Sequence, residues 1–233
     1  MRMSTSAVAA AVILGGALAA RAQVAVDIPI SPSIHQWSVD TGETVNPGHD
    51  LVSAEVGWPG LTLGYTHGLS DRTDIGLKFD LLYSIENTTN THFGLGLRVP
   101  FRAVVARSGG TSVLVHADPG IKLYPSVSST DDQGVTSSSS LFGFQLPVGA
   151  QVGFALAKNL RAEVGADLLT TLSVTGGSDL VLSPLFGAGL EYFVDRNLSL
   201  GLDTRFGPVF IPTANGAGTN LGFRTQLVAG YRL

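Results

Sequence analysis

Residues 160–174 read LRAEVGADLLTTLSV. Leu160, Ala162, Val164, Ala166, Leu168, Thr170, Leu172 and Val174 share one parity; Arg161, Glu163, Gly165, Asp167, Leu169, Thr171 and Ser173 share the other. A strand repeats every two residues, so one face of this segment is apolar and the other carries alternating charge. The pattern recurs in strand after strand, with the charges kept to one side. Such a chain predicts a closed sheet that is apolar outside and wet or ion-paired inside, the reverse of a soluble barrel.

Composition narrows the choice. Of 233 residues, 44% are hydrophobic, 14% are charged and 29 are glycine. The mean hydropathy of +0.29 is high, yet no internal run approaches the ~20 apolar residues of a membrane helix. A transmembrane strand protein has this profile; a soluble, glycine-rich β-sandwich is the alternative. The N-terminus carries a short basic start (Met1-Arg2-Met3), an apolar run from Ala7 to Ala20 and the cleavage pattern Ala20-Arg21-Ala22. It reads as a secretory signal peptide over 1–22, with Gln23 as the new N-terminus. There is no cysteine, so no disulfide framework, lipid-anchor cysteine or thiolate metal site is expected. Removing 1–22 leaves 12 basic and 18 acidic residues, net −6. Nothing in that balance suggests nucleic-acid binding.

Residues 23–49 form a Pro- and polar-rich lead, with Pro29, Pro32 and Pro47. It is expected to be irregular, either periplasmic or folded into the barrel mouth. From 50 to 233 the alternation is regular. Strands are predicted near 50–57, 61–69, 75–84, 92–105, 112–124, 141–156, 160–173, 181–194, 198–210 and 220–233. Several reach the ~9–11 residues of a tilted spanning strand. Short turns (Ser70–Asp74, Arg107–Gly110, Ala157–Asn159, Asp195–Asn197) alternate with longer loops (Ile85–Thr91, Pro125–Ser140, Val174–Leu180, Ile211–Thr219). That is the arrangement of an outer-membrane barrel with its short turns in the periplasm. The fold class expected is all-β: a transmembrane antiparallel up-and-down barrel of about ten strands, with eight or twelve as alternatives.

The charges can be placed one by one. Arg72, Arg107, Lys158 and Arg196 fall one in each short turn. The other strand-borne basic residues, Lys78, Arg98, Arg102, Lys122, Arg161, Arg205, Arg224 and Arg232, take the inward parity. So do the acids Glu55, Asp80, Asp118, Glu163, Asp167, Glu191 and Asp203. No Lys, Arg, Asp or Glu is expected on an outward strand position, where a charge at mid-membrane depth costs roughly 2–4 kcal/mol. Eight cations against seven anions are nearly neutral, and buried charges must be paired or hydrated. With His116 these residues are expected to form a lumen charge network with, at most, a thin water path, because a barrel of about ten strands is narrow. Tyr192, Phe154 and Tyr231 near the inner ends, and Tyr83, Phe93, Phe142, Phe210 and Phe223 near the outer ends, fit two interfacial aromatic belts.

The signal peptide, the alternating strands and the terminal strand Leu221–Leu233 resemble Gram-negative outer-membrane β-barrel proteins of the small porin-like type. The resemblance covers about residues 50–233 and rests on architecture. It implies localisation in the bacterial outer membrane after export to the periplasm. It also implies contact with outer-membrane lipids and, during biogenesis, with the barrel-assembly machinery. In that family the last strand commonly ends in an aromatic residue; here Leu233 ends it and Tyr231 is the nearest outward aromatic.

No hydrolase, zinc-protease, P-loop or dinucleotide fingerprint is present, and no cofactor, metal site or catalytic residue is assigned. His35, His49, His67, His92 and His116 are scattered. His116 and Asp118, at i and i+2 on the inward face, read as a base–orienter pair, as part of a metal site or as members of the lumen network, and the network is preferred. Glu86, His92, Asp131 and Asp132 at the outer rim have no defined spacing. The expected function is therefore structural or narrow-channel. The alternatives are a barrel enzyme or a ligand binder working at the surface loops, and a secreted soluble β-protein.

Overall fold

The computed structural model describes residues 37–84, 91–130, 136–175, 180–213 and 216–233. The predicted signal peptide, residues 23–36 and the candidate rim residues Glu86, Asp131 and Asp132 lie outside them. Thirteen antiparallel strands form one closed sheet. They are β1 (Asp50–Trp58), β2 (Gly60–Gly68), β3 (Thr73–Ser84), β4 (Thr91–Arg98), β5 (Phe101–Ser108), β6 (Thr111–Ala117) and β7 (Gly120–Thr130), followed by β8 (Thr136–Gln145), β9 (Val148–Ala157), β10 (Leu160–Ser173), β11 (Leu180–Phe193), β12 (Leu198–Thr213) and β13 (Gly216–Arg232).

The thirteen strands make ten staves. β3 pairs with β4 at one end of the barrel and β5 at the other, and β10 pairs likewise with β8 and β9. Thus β4 and β5 are one stave, as are β6 with β7 and β8 with β9. Each is interrupted at a proline: Pro100, Pro119 and Pro147. Proline has no N–H to give to the ladder. The neighbouring residue still bridges each break: Val99 N donates to Pro119 O (2.8 Å), and Asp118 N donates to Pro147 O (2.8 Å). The predicted single strands 92–105, 112–124 and 141–156 are therefore staves in two pieces. β1 pairs with β13 from Leu51↔Arg232 to Trp58↔Thr225 and closes the ring.

Four boundaries differ from expectation. The predicted loops at Pro125–Ser140 and Ile211–Thr219 continue the sheet instead. β7 and β8 pair out to Thr130↔Thr136, and β12 and β13 out to Thr213↔Gly216. Their Ser-, Thr- and Gly-rich stretches need no apolar face, and pairing satisfies the backbone. Asp74 lies in β3 rather than in a turn, and its side chain is buried in the lumen. Arg107 lies in β5, not in a turn: the register shifts between Val104 and Ala106, and Arg107 then pairs with inward-facing Ser112. A bulge of this kind adds one residue to a strand and changes which side later residues face.

Outside, the staves present Val56, Leu63, Leu77, Phe93, Val164, Phe186, Phe206, Leu221 and Leu227, all exposed. Trp58 stacks on Phe223 (5.5 Å between ring centroids) and meets Tyr83 edge-on at the long-loop end. The expected absence of outward charge has one exception. Asp50, the first residue of β1, has outward parity and sits at the short-turn rim. Its carboxylate accepts the Tyr65 hydroxyl at 2.7 Å and lies 2.7 Å from His67 Nδ1.

Residues 37–46 fill the short-turn end of the lumen. Trp37, Val39, Val45, Leu51, Phe193 and Val228 form the apolar core there. Trp37 packs edge-on against Phe193 at 5.3 Å, and its indole N–H donates to Arg196 O at the rim. Burying Val39 and Val45 contributes about 1.5–3 kcal/mol each. Of the two placements open for the lead, these residues take the one inside the mouth.

Candidate functional site: a tiered lumen closed by an inserted loop

The inserted loop enters at Trp37, turns at Gly42 (φ 82°) and leaves at Asn46 toward β1. The Ser38 hydroxyl braces it, accepting the N–H groups of Thr41 and Glu43, both at 3.1 Å. Two wall glycines make room for it. A Cβ on Gly153 would lie 2.3 Å from Thr41 O, and one on Gly230 would lie 2.2 Å from Val39 Cγ2.

The wall holds this loop with charged groups from four strands and an amide from a fifth. Asp74 of β3 accepts the Val45 N–H at 2.8 Å and is itself held by Arg102 of β5 at 2.9 and 2.7 Å. Arg102 also donates to the carbonyls of Ser38 and Val39. Glu191 of β11 accepts the Val39 N–H (3.0 Å), the Thr41 hydroxyl (2.7 Å) and the Ser199 hydroxyl (2.7 Å). Gln151 of β9 donates to Asp40 O (2.7 Å), and Arg161 of β10 to Thr41 O (3.3 Å). Glu43 of the loop sits between two arginines, 2.6 Å from Arg107 Nη2 and 3.7 Å from Arg161 Nη2.

A second tier of ion pairs lies beyond the loop. Arg205 contacts Glu163 (2.9 Å), Asp167 (3.1 Å) and Asp203 (3.2 Å). Arg224 contacts Asp203 (3.1 Å) and Asp167 (3.5 Å). Across the lumen Arg98 grips Asp80 at 2.6 Å and approaches Asp118 at 3.4 Å, while Lys78 binds Glu55 at 2.6 Å. Lys122 is buried beside Asp80 and Asp118 in the wall of the outer cavity.

Of the residues expected in the lumen network, this tier unites Glu55, Lys78, Asp80, Arg98, Asp118, Glu163, Asp167, Asp203, Arg205 and Arg224. Arg102, Arg161 and Glu191 serve the loop. Arg232 lies at the rim, its guanidinium carbon 5.6 Å from the Trp37 ring. The suggested His116–Asp118 pairing is not found. His116 Nε2 lies 2.9 Å from Asp167 Oδ1, two strands away, because Gly149 stands between them in the register.

Sequence reasoning missed Glu43, Asp74, Arg107, Gln151 and the spacer glycines. Inward glycine opposite inward charge was a readable signal. Gly96 lies between Asp80 and Lys122, Gly149 between His116 and Asp167, and Gly189 between Glu163 and Asp203. A narrow barrel accommodates long charged side chains only where their neighbours have none.

Among the described residues three cavities remain, the smallest, about 10 Å³, lying between Asp40 and Thr41 of the loop and Glu163, Glu191 and Asp203 of the wall. An outer one of about 60 Å³ is lined by Thr62, Asp80, Arg98, His116, Lys122, Gln145 and Arg224 among others. An inner one of about 30 Å³ has Val39 and Asp40 of the loop in its wall. Arg98, His116, Asp118 and Arg224 border both the outer and the inner one. Volumes of this size hold a few water molecules. No protein-family model and no curated protein matches this chain.

Proposed function

We propose that this chain is an integral outer-membrane β-barrel of structural or narrow-channel type, delivered by a signal peptide and closed at its periplasmic end by its own residues 37–46. One observation carries the reading. Among the described residues the outward faces of the ten staves are predominantly apolar, with Asp50 at the rim as the sole outward carboxylate, lysine or arginine, while the ion pairs lie inside. In water such a surface would be one continuous apolar patch, far beyond the few hundred Å² that soluble monomers expose. In lipid it is the surface required. The short turns are assigned to the periplasmic side because outer-membrane barrels place their short turns there, and the lipids of that membrane are its surroundings. Filled by ion pairs and water-sized cavities, the lumen supports a closed resting state.

The test is fractionation of cells expressing the full chain. The protein is expected in the outer-membrane pellet after alkaline carbonate extraction, and unheated samples should migrate differently from boiled ones. Release into the carbonate supernatant would favour the secreted soluble alternative.

A further inference from the structure

We infer that residues Trp37–Asn46 are a displaceable plug, and that Arg107 and Arg161, now bridged by Glu43, are the anion-binding site it leaves at the inner mouth. This rests on the outer-membrane reading above. Three observations carry it.

The loop is inserted without being woven into the sheet. Both its ends lie at the short-turn rim: Trp37 bonds to the turn residue Arg196, and Gly48 N donates to Gly68 O (2.9 Å). It contributes no strand to the ring. Withdrawing it breaks side-chain and loop contacts but no ladder hydrogen bond, so the barrel stays closed on itself.

The loop also forms the floor of the inner cavity, through Val39 and Asp40, and Arg98, His116, Asp118 and Arg224 separate that cavity from the outer one. The β9–β12 side, by contrast, is filled by the Arg205 cluster apart from one cavity of about 10 Å³.

Finally, the mouth is chemically incomplete without the loop. When it leaves, Arg102 keeps Asp74 and Glu191 keeps Ser199. Arg107 and Arg161 then keep, as hydrogen-bond partners among the described residues, only the Asp71 carbonyl (3.2 Å) and the Ser112 hydroxyl (3.1 Å), with the Glu191 carboxylate still within electrostatic reach of Arg161. Two guanidinium groups held around one carboxylate form a receptor for a carboxylate or phosphate group. Glu43 stands in for that ligand in the closed state, and the opened mouth favours small anions over cations.

The chain has no cysteine, so the plug can be locked with the pair Val39→Cys and Gly230→Cys, whose positions are nearly in contact. The full-length protein and its variants are reconstituted in planar bilayers in potassium chloride. Heat-dependent gel mobility establishes that each is folded; loss of that property by the unmodified protein would count against the outer-membrane reading itself. Openings are expected to cease when the V39C/G230C protein is oxidised and to return on reduction. Glu43→Gln should raise opening frequency about tenfold, the scale of one lost hydrogen bond to a charged group. Under a salt gradient the E43Q openings should be chloride-preferring, and adding R107Q and R161Q should abolish that preference. Equal opening by oxidised and reduced protein, wild-type gating in E43Q, or potassium preference would each overturn the proposal.

Discussion

Arg102 and Asp74 meet at two points inside the short-turn mouth, Nε to Oδ1 at 2.9 Å and Nη2 to Oδ2 at 2.7 Å, while the same carboxylate holds the Val45 N–H. Asp74 is fully buried and Arg102 nearly so. Removing one member of a buried pair strands the other charge, at a cost of about 3–5 kcal/mol. Asp74→Ala should therefore lower the urea midpoint of the refolded barrel by that equivalent and loosen Trp37, one of only two tryptophans. A change no larger than the roughly 1 kcal/mol of an exposed pair would mean the contact does not hold the plug.

Gly149 separates His116 from Asp167, and a Cβ there would lie 2.2 Å from both Nε2 and Oδ1. Gly149→Val should disrupt folding, by more than the roughly 1–3 kcal/mol typical of overpacking, because it also breaks the ion-pair tier around Asp167. Ala150→Val, one residue on and outward-facing, should be tolerated. Thermal gel-shift midpoints of the two variants provide the comparison; equal midpoints would contradict the spacer role.

Phe186 lies midway along β11 and Tyr192 near its end, both outward and exposed. Phe186→Arg should cost roughly 2–4 kcal/mol in vesicles, and Tyr192→Arg about 0–1 kcal/mol. In a water-surrounded barrel both substitutions would stay within about 0.5 kcal/mol. Equilibrium unfolding of each variant from vesicles measures the difference.

Much of this architecture was legible because a two-residue period is a local signal. Each stave had to keep Val164, Leu200 or Leu227 on one side and Glu163, Asp203 or Arg224 on the other, and no distant contact alters that parity. What stayed hidden was non-local. Nothing near Glu43 in the sequence points to Arg107 or Arg161, which meet it only once the ring closes. His116 pairs with Asp167 rather than with nearby Asp118 because side chains reach across strands over a glycine. Arg107 was misplaced because a bulge at Val105 shifts the parity by one residue, and Pro100, Pro119 and Pro147 mark ladder breaks that do not end their staves.

The orientation of β10 tests the account most directly. Single cysteines at Ala162, Val164, Ala166 and Leu168 can be spin-labelled in a chain without native thiols, and relaxation measured in lipid vesicles against oxygen and against a water-soluble nickel chelate. The account predicts that oxygen dominates at all four positions, most strongly toward the middle of the strand. Dominance of the nickel chelate there would place that face in water and contradict the barrel's residence in a membrane.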